Sequence, residues 1–157
     1  YLLMKNKSII DLGCGKGDLL LISKYLQSND ITGVDEHIEV KKIMDFYNFK
    51  YLKFNYITDN YNINKKYDII TSFRSIPHKI SKKKCVNLLK NIDNMANKNT
   101  VVIIVLMPYL TWDNILDIFK ENNYILYEYS SNYNKLFLEG AHRYNKCPFR
   151  ILKKIYS

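Results

Sequence analysis

The segment IIDLGCGKGDLL, residues 9–20, constrains the fold more than any other stretch of the chain. A β-branched run at 8–12 feeds a turn holding Gly13, Gly15 and Gly17, and residues 18–27 then carry Leu19, Leu20, Ile22 and Leu26 at helical spacing. Glycines so closely set let the backbone turn sharply and come near a ligand. The helix that follows offers unsatisfied N–H groups and a positive dipole end. Asp18 in its first turn would repel a phosphate but suits an ammonium group. A strand, a glycine turn and a helix in that order open a parallel α/β sheet, in which ligands bind beyond the carboxyl ends of the strands.

The remaining chain keeps the same rhythm. Residues 31–34 predict a second strand, and 38–47 a helix with Val40, Ile43 and Met44 on one side and Lys41 and Lys42 on the other. Residues 51–54 predict a third strand. The asparagine-rich stretch 58–66 has too little apolar period for a helix. A fourth strand is expected at 67–72. Ser81 then caps a helix to about residue 96, whose apolar side is Cys85, Val86, Leu88, Leu89, Ile92 and Met95. The run VVIIVLM at 101–107 suits the centre of a sheet covered on both faces. Residues 112–121 predict a helix with Trp112, Ile115, Leu116 and Phe119 buried, and 124–130 and 150–155 alternate as strands that pair antiparallel. The expected architecture is therefore an α/β, mostly parallel seven-stranded sheet flanked by helices, in a single domain over residues 1–157 with its last two strands antiparallel.

Asp35 ends the second strand about twenty residues after the glycines. A carboxylate there accepts both hydroxyls of a ribose; the bland alternative is an N-cap of the next helix. A dinucleotide-binding dehydrogenase would need Gly-x-Gly-x-x-Gly, and the last of those positions holds Asp18.

On these residues the chain resembles the class I methyltransferases that use S-adenosylmethionine, which implies an α/β, Rossmann-like, seven-stranded fold. IIDLGCGKGD is similar to their first motif, ITGVDE to their second, YDIITSFRSIPHKI to their fourth and VVIIVLM to their fifth strand. YILYEYS and FRILKKIYS resemble the closing antiparallel pair. The resemblance implies that Asp11 and the backbone of residues 13–17, with Gly13, Cys14, Gly15 and Gly17, surround the methionine moiety. It implies that Asp35 holds the ribose hydroxyls, that Glu36 lies along the adenine, and that Asn55 stands near where the family often has an aspartate for the adenine amino group. It also implies that Ser72 and Phe73 line the cofactor on the acceptor side. Members often carry helices ahead of the first strand. Only residues 1–7 precede it here, so an upstream segment, another domain or a partner protein is expected to complete the site.

Methyl transfer from a sulfonium needs alignment and exclusion of water more than a catalytic side chain. His78 is the candidate base, against the reading of a loop histidine ordered by Pro77. Arg143 and Tyr144, in the insert 132–149, are candidates for an anionic acceptor, against an ordinary hairpin loop. The asparagine–proline pattern of DNA-adenine enzymes is replaced by SFRSIP. The stretch from YDIITSFRSIPHKI to VLMP resembles messenger-RNA cap guanine methyltransferases, with KFNYI and FLEGA echoing viral members. A small-molecule acceptor and a non-catalytic, cofactor-binding subunit stand beside that reading.

Net charge of +9 comes from lysine; arginine occurs only at 74, 143 and 150. The run Lys82-Lys83-Lys84 opposes the helix dipole at about 0.3–1 kcal/mol each. Either polyanion binding or the composition bias of an AT-rich coding sequence accounts for it. Cys14, Cys85 and Cys147 have neither disulfide nor zinc spacing, and no metal is expected. No apolar run reaches the roughly 20 residues of a bilayer span, and the first residues show no basic-then-apolar signal pattern. A cytoplasmic protein without membrane contact is the expectation.

Overall fold

The computed structural model describes residues 4–62, 64–77, 80–105, 113–127 and 149–154. Along the chain run β1 (Ser8–Leu12), α1 (Asp18–Tyr25), β2 (Asp30–Asp35), α2 (Glu39–Tyr47), β3 (Lys50–Lys53), β4 (Tyr67–Phe73), α3 (Lys82–Met95), β5 (Ala96–Val105), α4 (Asp113–Glu121), β6 (Tyr124–Tyr127) and β7 (Phe149–Lys154). The strands lie in the order β3-β2-β1-β4-β5-β7-β6. β1 to β5 pair in parallel, as the alternation of apolar and amphipathic runs predicts; β7 pairs antiparallel with β5 and with β6. Among the described residues no helix is long and apolar enough to cross a membrane.

The central strands are apolar on both faces because both are covered. Ile10, Leu12, Val34 and Ile70 share a core with Leu88, Leu89 and Ile92 of α3 and with Phe119 of α4. Behind the sheet, Leu20 of α1 packs with Val40 and Met44 of α2, beside Cys14 and Phe49. Gly33 permits that packing, since a Cβ there would stand 2.7 Å from Cys14 Sγ and 2.9 Å from Met44 Sδ. At the amino end of the central pair, Ser8 N and Oγ both donate to Asp68 Oδ2 at 2.9 Å, and Asp68 N donates back to Ser8 Oγ at 3.0 Å. The Ser8 N–H, more than burial opposes it, holds the Asp68 carboxyl below the usual range.

Three sequence expectations need correction, and a fourth is extended. Val86 is 45% exposed, and Asn91 stands in the buried stripe of α3 instead. On α1, Ile22 is 46% exposed while Ser23 is buried, its hydroxyl bonded back to Leu19 O at 2.8 Å, which lets a polar residue face the core. In α4, Ile118 is buried beside Phe119; Trp112 lies outside the described residues. β5 begins at Ala96 rather than 101, because Ala96 pairs with Tyr67 and Thr100 Oγ1 stitches the irregular step, donating to Tyr67 O at 2.6 Å.

Candidate functional site

Sheet order changes direction between β1 and β4, and a cleft of about 240 Å³ opens beyond their carboxyl ends. The glycine turn forms its floor. Gly13 N and Cys14 N donate to Val34 O at 2.8 and 2.9 Å, strapping the turn to β2. Gly13 adopts φ +74°, and a Cβ there would stand 2.2 Å from Ser75 Cβ. Gly15 adopts φ +48° with nothing within 4 Å of a Cβ, so its backbone faces open space.

Asp35 closes β2 at the cleft. Gly15 N donates to its Oδ2 at 3.1 Å and His37 N to its Oδ1 at 3.0 Å, so each oxygen is oriented by a main-chain N–H. α2 has Ile38 at its N-cap with no side-chain bond, so Asp35 is not the cap. Tyr51 Oη steadies the same corner, its single proton shared between the carbonyls of Asp35 and His37, each 2.9 Å away.

Glu36 and Asn55 come together on the neighbouring wall, Asn55 Nδ2 donating to Glu36 Oε2 at 2.8 Å. Asn55 also organises its own loop, its Oδ1 accepting from Ile57 N at 3.0 Å and Thr58 N at 3.2 Å. Opposite, Tyr56 Oη donates to Ser75 O at 2.6 Å, and Ser75 Oγ donates to Leu12 O at 2.6 Å. With its proton so committed, Ser75 Oγ accepts from Ser72 Oγ at 2.8 Å. This clasp ties together the loops that leave β1, β3 and β4. Arg74, at φ +56°, reverses the chain into it.

Of the residues singled out from sequence, Gly13, Asp35, Glu36 and Asn55 line the cleft. Asp11 lies beneath it, 3% exposed, accepting from Thr71 Oγ1 at 2.7 Å. Burial pushes its carboxyl up to about 7, against the Thr71 bond and with the Asp35 charge. Cys14 turns its side chain into the core under α1 and α2, and burial first, then the Asp11 and Asp35 charges, push its thiol up to about 12. Ser72 is buried under Ser75, and Phe73 is 43% exposed without lining the cleft. His78, Arg143 and Tyr144 lie outside the described residues, as does Cys147. Among the described residues no group of three or more His, Cys, Asp or Glu side chains is placed to hold a metal ion.

Sequence reasoning missed Tyr56, Ser75 and His37, which line the cleft, where Lys84 of the lysine run also stands. His37 carried a signal, since it follows the acidic pair at the end of β2. Burial pushes the Tyr56 phenol up to about 12, so it serves as a donor rather than a base.

A family model described as a methyltransferase domain matches residues 2–145. The chain belongs to the methyltransferase domain family. Protein 235L of Invertebrate iridescent virus 6, named for a methyltransferase, is 31% identical over 98 residues. That match takes in 59% of this chain and 36% of the viral protein, so the chain spans about a third of its relative's length. A TehB-like SAM-dependent methyltransferase from Corynebacterium glutamicum superposes with a TM-score of 0.75 at 16% identity, over 96% of this chain and 82% of that one. A Thermus thermophilus 16S rRNA methyltransferase, solved with AdoMet and guanosine, gives 0.62 at 14% identity, over 96% and 38%. At such identities these likenesses concern the fold, and the family assignment rests on the family model.

Proposed function

We propose that the chain binds S-adenosylmethionine in this cleft and transfers its methyl group to an acceptor. The observation that carries the reading is the Asp35 carboxylate, held by Gly15 N and His37 N at the cleft. A carboxylate has about four acceptor directions, so two main-chain donors leave about two for the hydroxyls of a ribose. The cleft fits the rest of the cofactor as well. Gly15 leaves open space where any side chain would project, and the Glu36–Asn55 pair offers polar edges to a base. When bound, S-adenosylmethionine supplies a sulfonium-activated methyl for direct displacement by the acceptor. The protein's share is orientation and exclusion of water: Asp35 and the glycine turn hold one side, and the Tyr56–Ser75 clasp holds the loop that faces the acceptor. The β6–β7 edge belongs to the same reading as the family's closing pair.

The test is calorimetric binding of S-adenosylmethionine and S-adenosylhomocysteine, followed by tritiated methyl transfer across RNA and metabolite pools. Transfer to any pool supports the enzyme; binding without transfer supports a cofactor-binding subunit acting through a partner protein; no binding refutes both.

Lys84 at the cleft mouth favours one second reading, an RNA acceptor. It stands in the first turn of α3 with Lys82 and Lys83, all exposed. If the three lysines meet phosphates, alanine at each lowers the slope of log affinity for capped RNA against log salt by about 0.7. An unchanged slope assigns the charge to composition and leaves a small-molecule acceptor.

A further inference from the structure

The wall of the cleft stands on residues 55–61, a stretch with neither helix nor strand. Such a segment, where buried, must find partners for its main-chain groups. α3 supplies them. Asn87, Asn91 and Asn94 share one side of the helix, being three or four residues apart. Asn91 is fully buried; its Nδ2 donates to Tyr56 O at 2.9 Å and Asp59 O at 2.7 Å, and its Oδ1 accepts from Tyr61 N at 2.8 Å. Asn87 Nδ2 donates to Ile57 O at 2.9 Å and to Asp59 O at 3.1 Å. Asn94 Nδ2 donates only farther along, to Tyr61 O at 3.3 Å. None of the three asparagines lines the cleft, whereas Asn55, Tyr56, Ile57 and Thr58 do.

We propose that Asn87 and Asn91 are positioning residues of the cofactor site, holding the carbonyls behind residues 56–59 so that the wall keeps its distance from Asp35. The proposal rests on the cofactor reading given above. A buried carbonyl stripped of its partner costs more than the bond itself contributed, so the wall moves toward water when an amide is removed. Asn94 is the contrast within the same row, because Tyr61 is outside the cleft lining.

Two measurements on the full chain decide it: amide exchange of residues 56–60 without ligand, and affinity for S-adenosylhomocysteine. In Asn87→Ala, the amides of Thr58 and Asp59 should exchange about tenfold faster, and the dissociation constant should rise about fivefold. Asn94→Ala should change that constant less than twofold. Asn91→Asp keeps an acceptor for Tyr61 N while removing both donations, and should weaken binding more than Asn87→Ala. Where Asn91→Asp does not fold, Asn87→Ala carries the test alone. Faster exchange with affinity within twofold overturns the positioning role, and unchanged exchange overturns the clamp. A parent chain that binds no S-adenosylhomocysteine, with the exchange effect intact, refutes the cofactor reading and with it this role, which separates that failure from failure of the clamp.

Discussion

Replacing Asp35 with alanine removes a carboxylate whose two oxygens are each anchored by a main-chain donor, at 3.1 and 3.0 Å. About two acceptor directions remain for a ligand's hydroxyls, and a hydrogen bond to a charged group contributes about 1.5 kcal/mol at the low end of its range. The expected loss of S-adenosylhomocysteine affinity is therefore about 3 kcal/mol, a factor of roughly 150 at 25 °C. Asp35→Asn should lose less, because one oxygen persists while the charge and one anchoring interaction go. Isothermal calorimetry reads both variants, and near-UV circular dichroism shows whether the glycine turn stays packed once Gly15 N and His37 N lose their acceptor. A folded Asp35→Ala chain that binds within threefold of the parent would refute the ribose assignment, and with it the reasoning that places the cofactor in this cleft.

Three further outcomes are expected. Gly13→Ala drives a Cβ to 2.2 Å from that of Ser75 at φ +74°, whereas Gly15→Ala at φ +48° meets nothing within 4 Å. Thermal unfolding should show about 1–2 kcal/mol of backbone strain in the second and clearly more in the first. Burial raises the Asp11 carboxyl from 3.8 to about 7, so between those values the unfolded chain releases a proton that the folded chain keeps. Stability should then fall as pH rises from about 4 to about 7, and Asp11→Asn should flatten that slope in denaturant titrations. Ser81→Ala removes the side-chain cap that accepts from Lys84 N at 3.3 Å and should cost about 1 kcal/mol, read as a lower chemical-denaturation midpoint.

The sequence carried the frame of the site better than its closure. Asp35 was legible because a strand end, a glycine turn and an acid at fixed spacing are local signals, and the structure brings Gly15 N to its carboxylate. The cap at Ser81 and the lack of helix among the described residues of 58–66 were legible for the same reason. Ser75 was not, since its place depends on Arg74 taking a left-handed φ of +56°, which arginine does not announce. Asn91 is hard to read from sequence, because asparagine is a polar residue that more often faces water. Its spacing with Leu88, Ile92 and Met95 was the available clue, and Val86, one position outside that stripe, was wrongly counted in it. Cys14 belongs to the motif through its backbone, and its thiol packs under α1 and α2.

The reciprocal pair of Ser8 and Asp68 lies at the far end of β1 and β4 from the cleft. Parallel strands buried on both faces offer little apolar pattern to distinguish one alignment from the next, and a slip of one residue would shift the two loop mouths by roughly 3.3 Å. Ser8 and Asp68 penalise that slip, since misalignment would separate the hydroxyl from the carboxylate it serves. Strand alignment is thus set at the end of the sheet away from the cleft. The loops at the opposite rim are relieved of that task, so substitutions there can reshape the cleft while the sheet beneath keeps its alignment.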